Sequence, residues 1–114
     1  QDEFIGDFST LELGAETDNG TLVSPATILN HEADHAIQCI ENPEQVIKDK
    51  NTKDDHYHNA EEKRVITGSE QRTALKHGEI KEGQVTRTNH NVKKWYPTIS
   101  PTSTQKKPEN ETDL

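Results

Sequence analysis

Ser24-Pro25-Ala26-Thr27-Ile28-Leu29-Asn30-His31-Glu32-Ala33-Asp34-His35-Ala36-Ile37-Gln38-Cys39-Ile40-Glu41-Asn42-Pro43 decides how this chain is read. Serine is a preferred N-cap, and proline suits the first helical position. Ile28, Leu29, Ala33, Ala36, Ile37 and Ile40 then recur at helical spacing. Asn42-Pro43 ends the run, because the residue before a proline is pushed out of helical geometry. The stretch predicts a helix over residues 25–41. Inside it, His31-Glu32-Ala33-Asp34-His35 matches H-E-x-x-H. Positions four apart share a helix face, with Cβ atoms about 5–6 Å apart. His31 and His35 can therefore bring two imidazole nitrogens to one Zn2+ ion. Glu32 projects beside them, where a carboxylate can take a proton from a zinc-bound water attacking a carbonyl.

A catalytic zinc needs a third protein ligand and one open position. Asn59-Ala60-Glu61-Glu62 supplies acids at the start of a second helix. Asn59 reads as its N-cap, with Glu62 at the capping-box position. Val65, Ile66, Ala74 and Leu75 carry the helix to about residue 77, where Gly78 is a suitable stop. Glu62 is expected to be occupied with the helix end, whereas Glu61 shares the inward face with Val65 and Gly68. Glu61 is therefore the expected third ligand, with Glu62 as the alternative. Glu70 is expected near the site or at the surface rather than on the metal. Gly68 is expected to permit close approach to the first helix.

The remaining elements are short. Residues 9–13 alternate as a strand, Asp18-Asn19-Gly20 reads as a turn, and Thr21-Leu22-Val23 as a brief return strand. A helical turn is expected at 44–48, followed by a polar loop at 48–58 in which His56 and His58 are solvated. His77 suits a helix end as a cation. Residues 84–88 alternate as a strand, and Arg87 and His90 are candidates for stabilising a developing oxyanion. The domain is read as residues 1–96. From Pro97 onward Ser, Thr, Pro, Lys and Glu dominate, and residues 97–114 are expected to form a disordered tail.

The 114 residues suit one small domain. With 27% hydrophobic and 30% charged residues, and a mean hydropathy of −1.07, the chain has little material for a core. A metal or a partner segment would compensate. The net charge of −8 argues against nucleic acid, whose phosphates call for a clustered basic surface. No apolar run reaches membrane-spanning length. A single cysteine, Cys39, excludes an internal disulfide and reads as a small structural residue. The chain opens without a start signal and is read as a piece of a longer protein.

Three segments together carry a family resemblance. They are Ser24-Pro25-Ala26-Thr27 leading into the histidine motif, Asn59 to Glu70, and Gln84-Val85-Thr86-Arg87-Thr88-Asn89-His90. The combination resembles the metallopeptidase-like toxin domains at the ends of RHS-repeat proteins. More distantly it is similar to the type III effector zinc metallopeptidases. The resemblance spans about residues 21–96. It implies a small α+β zincin-like fold with an active-site helix, a second ligand-bearing helix and a few short strands. It also implies zinc held by His31, His35 and an acid at 61 or 62, with Glu32 as base. The expected activity is hydrolysis of peptide bonds in a protein substrate, by a secreted or injected effector whose upstream repeats are absent here. Asp34 departs from the pattern, since such proteins commonly carry glycine or another uncharged residue there. The alternative expectation is an inactive interaction module stapled by zinc.

Overall fold

The computed structural model describes residues 13–108. The strand expected at 9–13 lies almost wholly outside them. The molecule is a small α+β domain. A three-stranded antiparallel sheet of β1 (Leu13–Thr17), β2 (Leu22–Val23) and β5 (Val92–Pro97) has the order β2-β1-β5. The expected turn joins β1 to β2: Thr17 N donates to Thr21 O at 2.9 Å, and Gly20 takes the left-handed φ of 84°. Register sets Val23, Ala15 and Trp95 in one row across the three strands. Directly opposed residues point to the same face, so this row looks toward the helices.

Helix α1 (Pro25–Glu41) has the bounds its sequence predicts. Ser24 Oγ accepts from Thr27 N at 3.2 Å. Glu79 adds a second cap, since its Oε1 accepts from Ser24 N at 3.1 Å and from Thr27 Oγ1 at 2.8 Å. A carboxylate there also meets the positive end of the helix dipole. α2 (Pro43–Lys50) is longer than the turn expected at 44–48. The polar loop that follows is a hairpin, with β3 (Lys53–Asp54) paired to β4 (His58–Asn59). The second long helix is interrupted. α3 (Ala60–Val65) runs into a π turn (Ile66–Glu70) and then α4 (Gln71–Lys76), and Gly78 stops it with a φ of 77°.

Three expectations are corrected. Residues 84–88 form no strand and join neither sheet. Side chains hold the segment instead: Thr17 Oγ1 donates to Thr86 O at 2.6 Å, and Asp18 Oδ1 accepts from Thr88 N at 2.9 Å. The expected tail from Pro97 is folded back, at least to Lys107. Ile99 N donates to Gln105 O, Lys107 N to Pro97 O, and Ala26 N to Pro101 O, while Tyr96 Oη donates to Thr104 O at 2.6 Å. Gly68 makes no close approach to α1, since an added Cβ would meet only the tip of Arg72 at 3.5 Å.

Ala15, Val23 and Ile28 form the buried apolar cluster, with Val92 against it. Among the described residues, Thr17, Ser24, Thr27, Glu61, Glu70 and Thr86 are buried just as fully. No helix of the described residues is long and apolar enough to cross a membrane.

The two glycines separate packing from propensity. At Gly14 an added Cβ would lie 2.8 Å from Thr98 Cγ2 and 2.9 Å from Val23 O. Gly14→Ala should therefore lower stability by about 1–3 kcal/mol through overpacking. Gly68→Ala should raise it by up to about 1 kcal/mol, since alanine is the better helix former. Urea unfolding of the two variants measures both, and a destabilised Gly68→Ala would contradict the open geometry at that site.

Candidate metal centre

α1 carries His31 and His35 on its inward face, both 6% exposed. Each ring is held from behind. His31 Nδ1 lies 2.7 Å from Glu70 Oε1, and His35 Nδ1 lies 2.9 Å from Glu61 Oε2. A carboxylate accepts, so each Nδ1 donates, and the neutral ring then bears its lone pair on Nε2. The two Nε2 atoms are 3.1 Å apart. Glu62 faces both, with Oε1 3.3 Å from His31 Nε2 and Oε2 3.1 Å from His35 Nε2. Oε1 of Glu62 is buried and makes no hydrogen bond of acceptable geometry. His31, His35 and Glu62 thus form a buried group whose donor atoms all lie within 4.8 Å of one another, suited to hold a metal ion.

The orienting carboxylates are themselves fixed by arginines. Arg87 grips Glu70 through Nε at 3.0 Å and Nη2 at 2.7 Å, and Thr86 Oγ1 adds a third bond at 2.6 Å. Arg64 grips Glu61 through Nε at 3.0 Å and Nη2 at 2.9 Å. Its Nη1 reaches Asp34 at 3.0 Å. The unusual charge inside the motif therefore anchors the arginine that anchors the carboxylate behind His35. Glu62 differs from its neighbours. Among the described residues it has no arginine or lysine at ion-pair distance, only His31, His35 and, at 3.8 Å, His90.

This exchanges the expected roles of Glu61 and Glu62. The cap at Asn59 uses only the backbone of Glu62, whose N donates to Asn59 Oδ1 at 2.8 Å. Its carboxylate is left to turn toward the histidines. Glu61 is buried as expected, yet it reaches His35 from the far side of the ring. Glu70 is brought in by the π turn. In an unbroken α-helix, Glu62 and Glu70 would sit about 80° apart around the axis. One π turn acts as a one-residue insertion, cutting that angle to about 20° and turning both acids toward α1.

Glu32 is half-buried and lines a cleft of about 280 Å3 together with His31, Glu62, Glu70, Arg87 and His90. Arg87, expected as an oxyanion donor, lines the cleft but directs its guanidinium at Glu70. Each of its three nitrogens is engaged, the last donating to His90 O at 2.9 Å. His90 stays at the cleft mouth, braced by the hairpin: its N donates to His56 O at 2.9 Å and its ring lies 5.3 Å from that of His58. Tyr57 Oη donates to Arg87 O at 3.2 Å. The hairpin's part in the site left no sequence signal beyond polar composition.

Electrostatics follow from this packing. Burial works against a charge on His31, but its bonds with Glu62 and Glu70 prevail and raise it to about 9. Burial likewise opposes ionisation of Glu62, yet bonding to His31 and His35 holds it far below the usual carboxylate range. Glu70 is lowered to about 2 by His31 and Arg87 against the same burial penalty.

Metal-free protein should show this in its stability. A proton held on His31 more tightly in the fold than in the open chain stabilises below about pH 6.5, and that gain is lost as the pH rises toward 9. The depressed Glu62 and Glu70 stabilise above about pH 4.5, and lose their contribution as the pH falls. Melting in chelator should peak between about pH 4.5 and 6.5. A melting temperature that stays flat from pH 6.5 to 10 would contradict the paired arrangement of His31.

Comparison with known protein families, with characterised proteins and with solved structures finds no match for this chain, so its chemistry is inferred from the cluster itself.

Proposed function

We propose that the chain is a zinc-dependent peptidase, with the ion held by His31, His35 and Glu62. The observation that carries this reading is the convergence of two imidazole Nε2 atoms and the Glu62 carboxylate on one point. Two imidazole nitrogens on a tetrahedral zinc, each about 2.0–2.1 Å from it, stand roughly 3.3 Å apart, and these stand at 3.1 Å. The ring hydrogens are committed to carboxylates, as in zinc sites generally, and the donor set of two histidines and one glutamate leaves a coordination position open. The bound ion would supply Lewis acidity, acidifying water and polarising a carbonyl.

The chain's own residues do the rest. Glu32, in the cleft next to His31, accepts the proton of the attacking water and delivers it to the leaving amine. His90, which lines the cleft, is assigned to the developing oxyanion. Glu70 and Glu61 keep the imidazoles aimed. The same reading takes the chain as a zincin-like effector domain of the RHS-repeat type, on the three segments that carry that resemblance. A second reading is favoured by the many buried polar side chains: zinc as a staple for an interaction module that cuts nothing.

Metal analysis by mass spectrometry should find one zinc per chain. Glu62→Ala should lose it, and Glu61→Gln should keep it with affinity weakened by about 10–100-fold. Glu32→Gln should retain zinc while peptide hydrolysis falls by at least about 100-fold. Zinc retained by Glu62→Ala refutes the ligand set, and undiminished hydrolysis by Glu32→Gln refutes the mechanism. Zinc binding without hydrolysis by the unaltered chain would leave the interaction module.

A further inference from the structure

The cleft has an apolar half that zinc chemistry does not use. It runs from His31 and Glu32 to a wall made by Val23, Ala15 and Trp95 of the sheet, with Ile28 and Val92 closing its sides. Strand register explains the hollow. Val23, Ala15 and Trp95 are opposed across the three strands and share the inner face. The central member is alanine, itself buried like Val23, so the open part of the hollow lies toward Trp95 at the rim. The whole cleft, polar half included, measures about 280 Å3, below the about 300 Å3 at which pockets for whole small molecules begin, so its apolar half has room for a single side chain. Ala15, Val23 and Ile28 are core residues, which gives the wall a fixed shape, while Trp95 is 42% exposed at the rim.

We infer that this hollow receives a large apolar side chain of the substrate, beside the bond to be cut. The inference rests on the peptidase reading for its setting and sets the substrate class: protein segments carrying leucine-like or aromatic residues at the cleavage point. An apolar side chain seated there leaves water and fixes the peptide's register over the cluster, so that the carbonyl, rather than a neighbouring one, meets Glu32 and its water.

Trp95 is the chain's only tryptophan, so its fluorescence reports occupancy without turnover. Two blocked tripeptides are titrated into the full chain, with and without added zinc: one with leucine between two glycines, one of glycine throughout. The leucine peptide should give a saturable change and bind about tenfold tighter or more, as expected for taking a leucine side chain out of water. Ala15→Leu fills the hollow and should abolish the saturable change. Trp95→Ala removes the rim of this wall, and should raise KM several-fold more for leucine-bearing than for glycine-bearing substrates. Equal binding of the two peptides, no saturable response to the leucine peptide, or an unchanged KM in Trp95→Ala overturns the pocket. Leucine-selective binding without cleavage keeps the pocket and removes the peptidase, whereas cleavage indifferent to leucine keeps the peptidase and removes the pocket.

Discussion

Two imidazole nitrogens 3.1 Å apart, each with its ring's other nitrogen bound to a carboxylate, are the constraint around which the rest of this domain is arranged. Two lone pairs so close, facing a third on Glu62, repel one another unless a positive charge lies among them. In metal-free protein a proton on His31 serves, which is why that residue keeps its proton to about pH 9. A divalent ion held by the same three side chains would answer the same demand. The pair is not an accident of a flexible surface, because both rings are buried and both orienting acids are themselves gripped by arginine.

Those grips explain how a chain so poor in apolar residues fills the middle of a fold. Arg87 belongs to the irregular segment before β5, and Arg64 to α3. Arg87 grips Glu70 of the π turn across the fold and Arg64 grips Glu61 within α3, by charge-assisted bonds roughly twice as strong as neutral ones, and the two acids reach α1 through His31 and His35. Buried ion pairs are poor sources of net stability, but breaking one leaves a costly orphaned charge. The cluster therefore selects one arrangement over others more than it deepens the well, and what it selects is the aim of two imidazoles.

Much of this was legible in the sequence. Ser24-Pro25 and Asn42-Pro43 bracket α1 because caps and prolines act locally, and the spacing of His31 and His35 is a property of any helix. The sequence narrows the acid to Glu61 or Glu62, and the structure sets Glu62 beside both Nε2 atoms, because the cap at Asn59 uses only its backbone N–H and leaves its side chain free to turn. The π turn has no signature in the residues from Ile66 to Glu70, so the convergence of Glu70 on His31 was out of reach, as was the pairing of Arg87 with Glu70. Alternation at 84–88 resembles a strand, but pairing depends on contacts far along the chain, and here the side chains of Thr17 and Asp18 hold the segment instead. The segment after Pro97 has the composition of a tail. It folds back through backbone bonds and Tyr96, which composition does not record.

Asp34 shows how these levels meet. On the sequence it is an unwelcome negative charge between two metal ligands. In the fold it is half-buried and bonds Arg64 at 3.0 Å, holding that guanidinium's third nitrogen while the other two hold Glu61. Arg64 is thereby fixed at all three nitrogens, as Arg87 is on the other side by Glu70 and the carbonyl of His90. The two imidazoles are thus supported by matching chains of three charged or polar groups, of which only Asp34 belongs to the motif. An uncharged residue at 34 would leave the histidines in place but free one arm of Arg64, and the side of the cluster on His35 would become the looser one. The aspartate is better understood as the end of a positioning chain than as a defect in the motif.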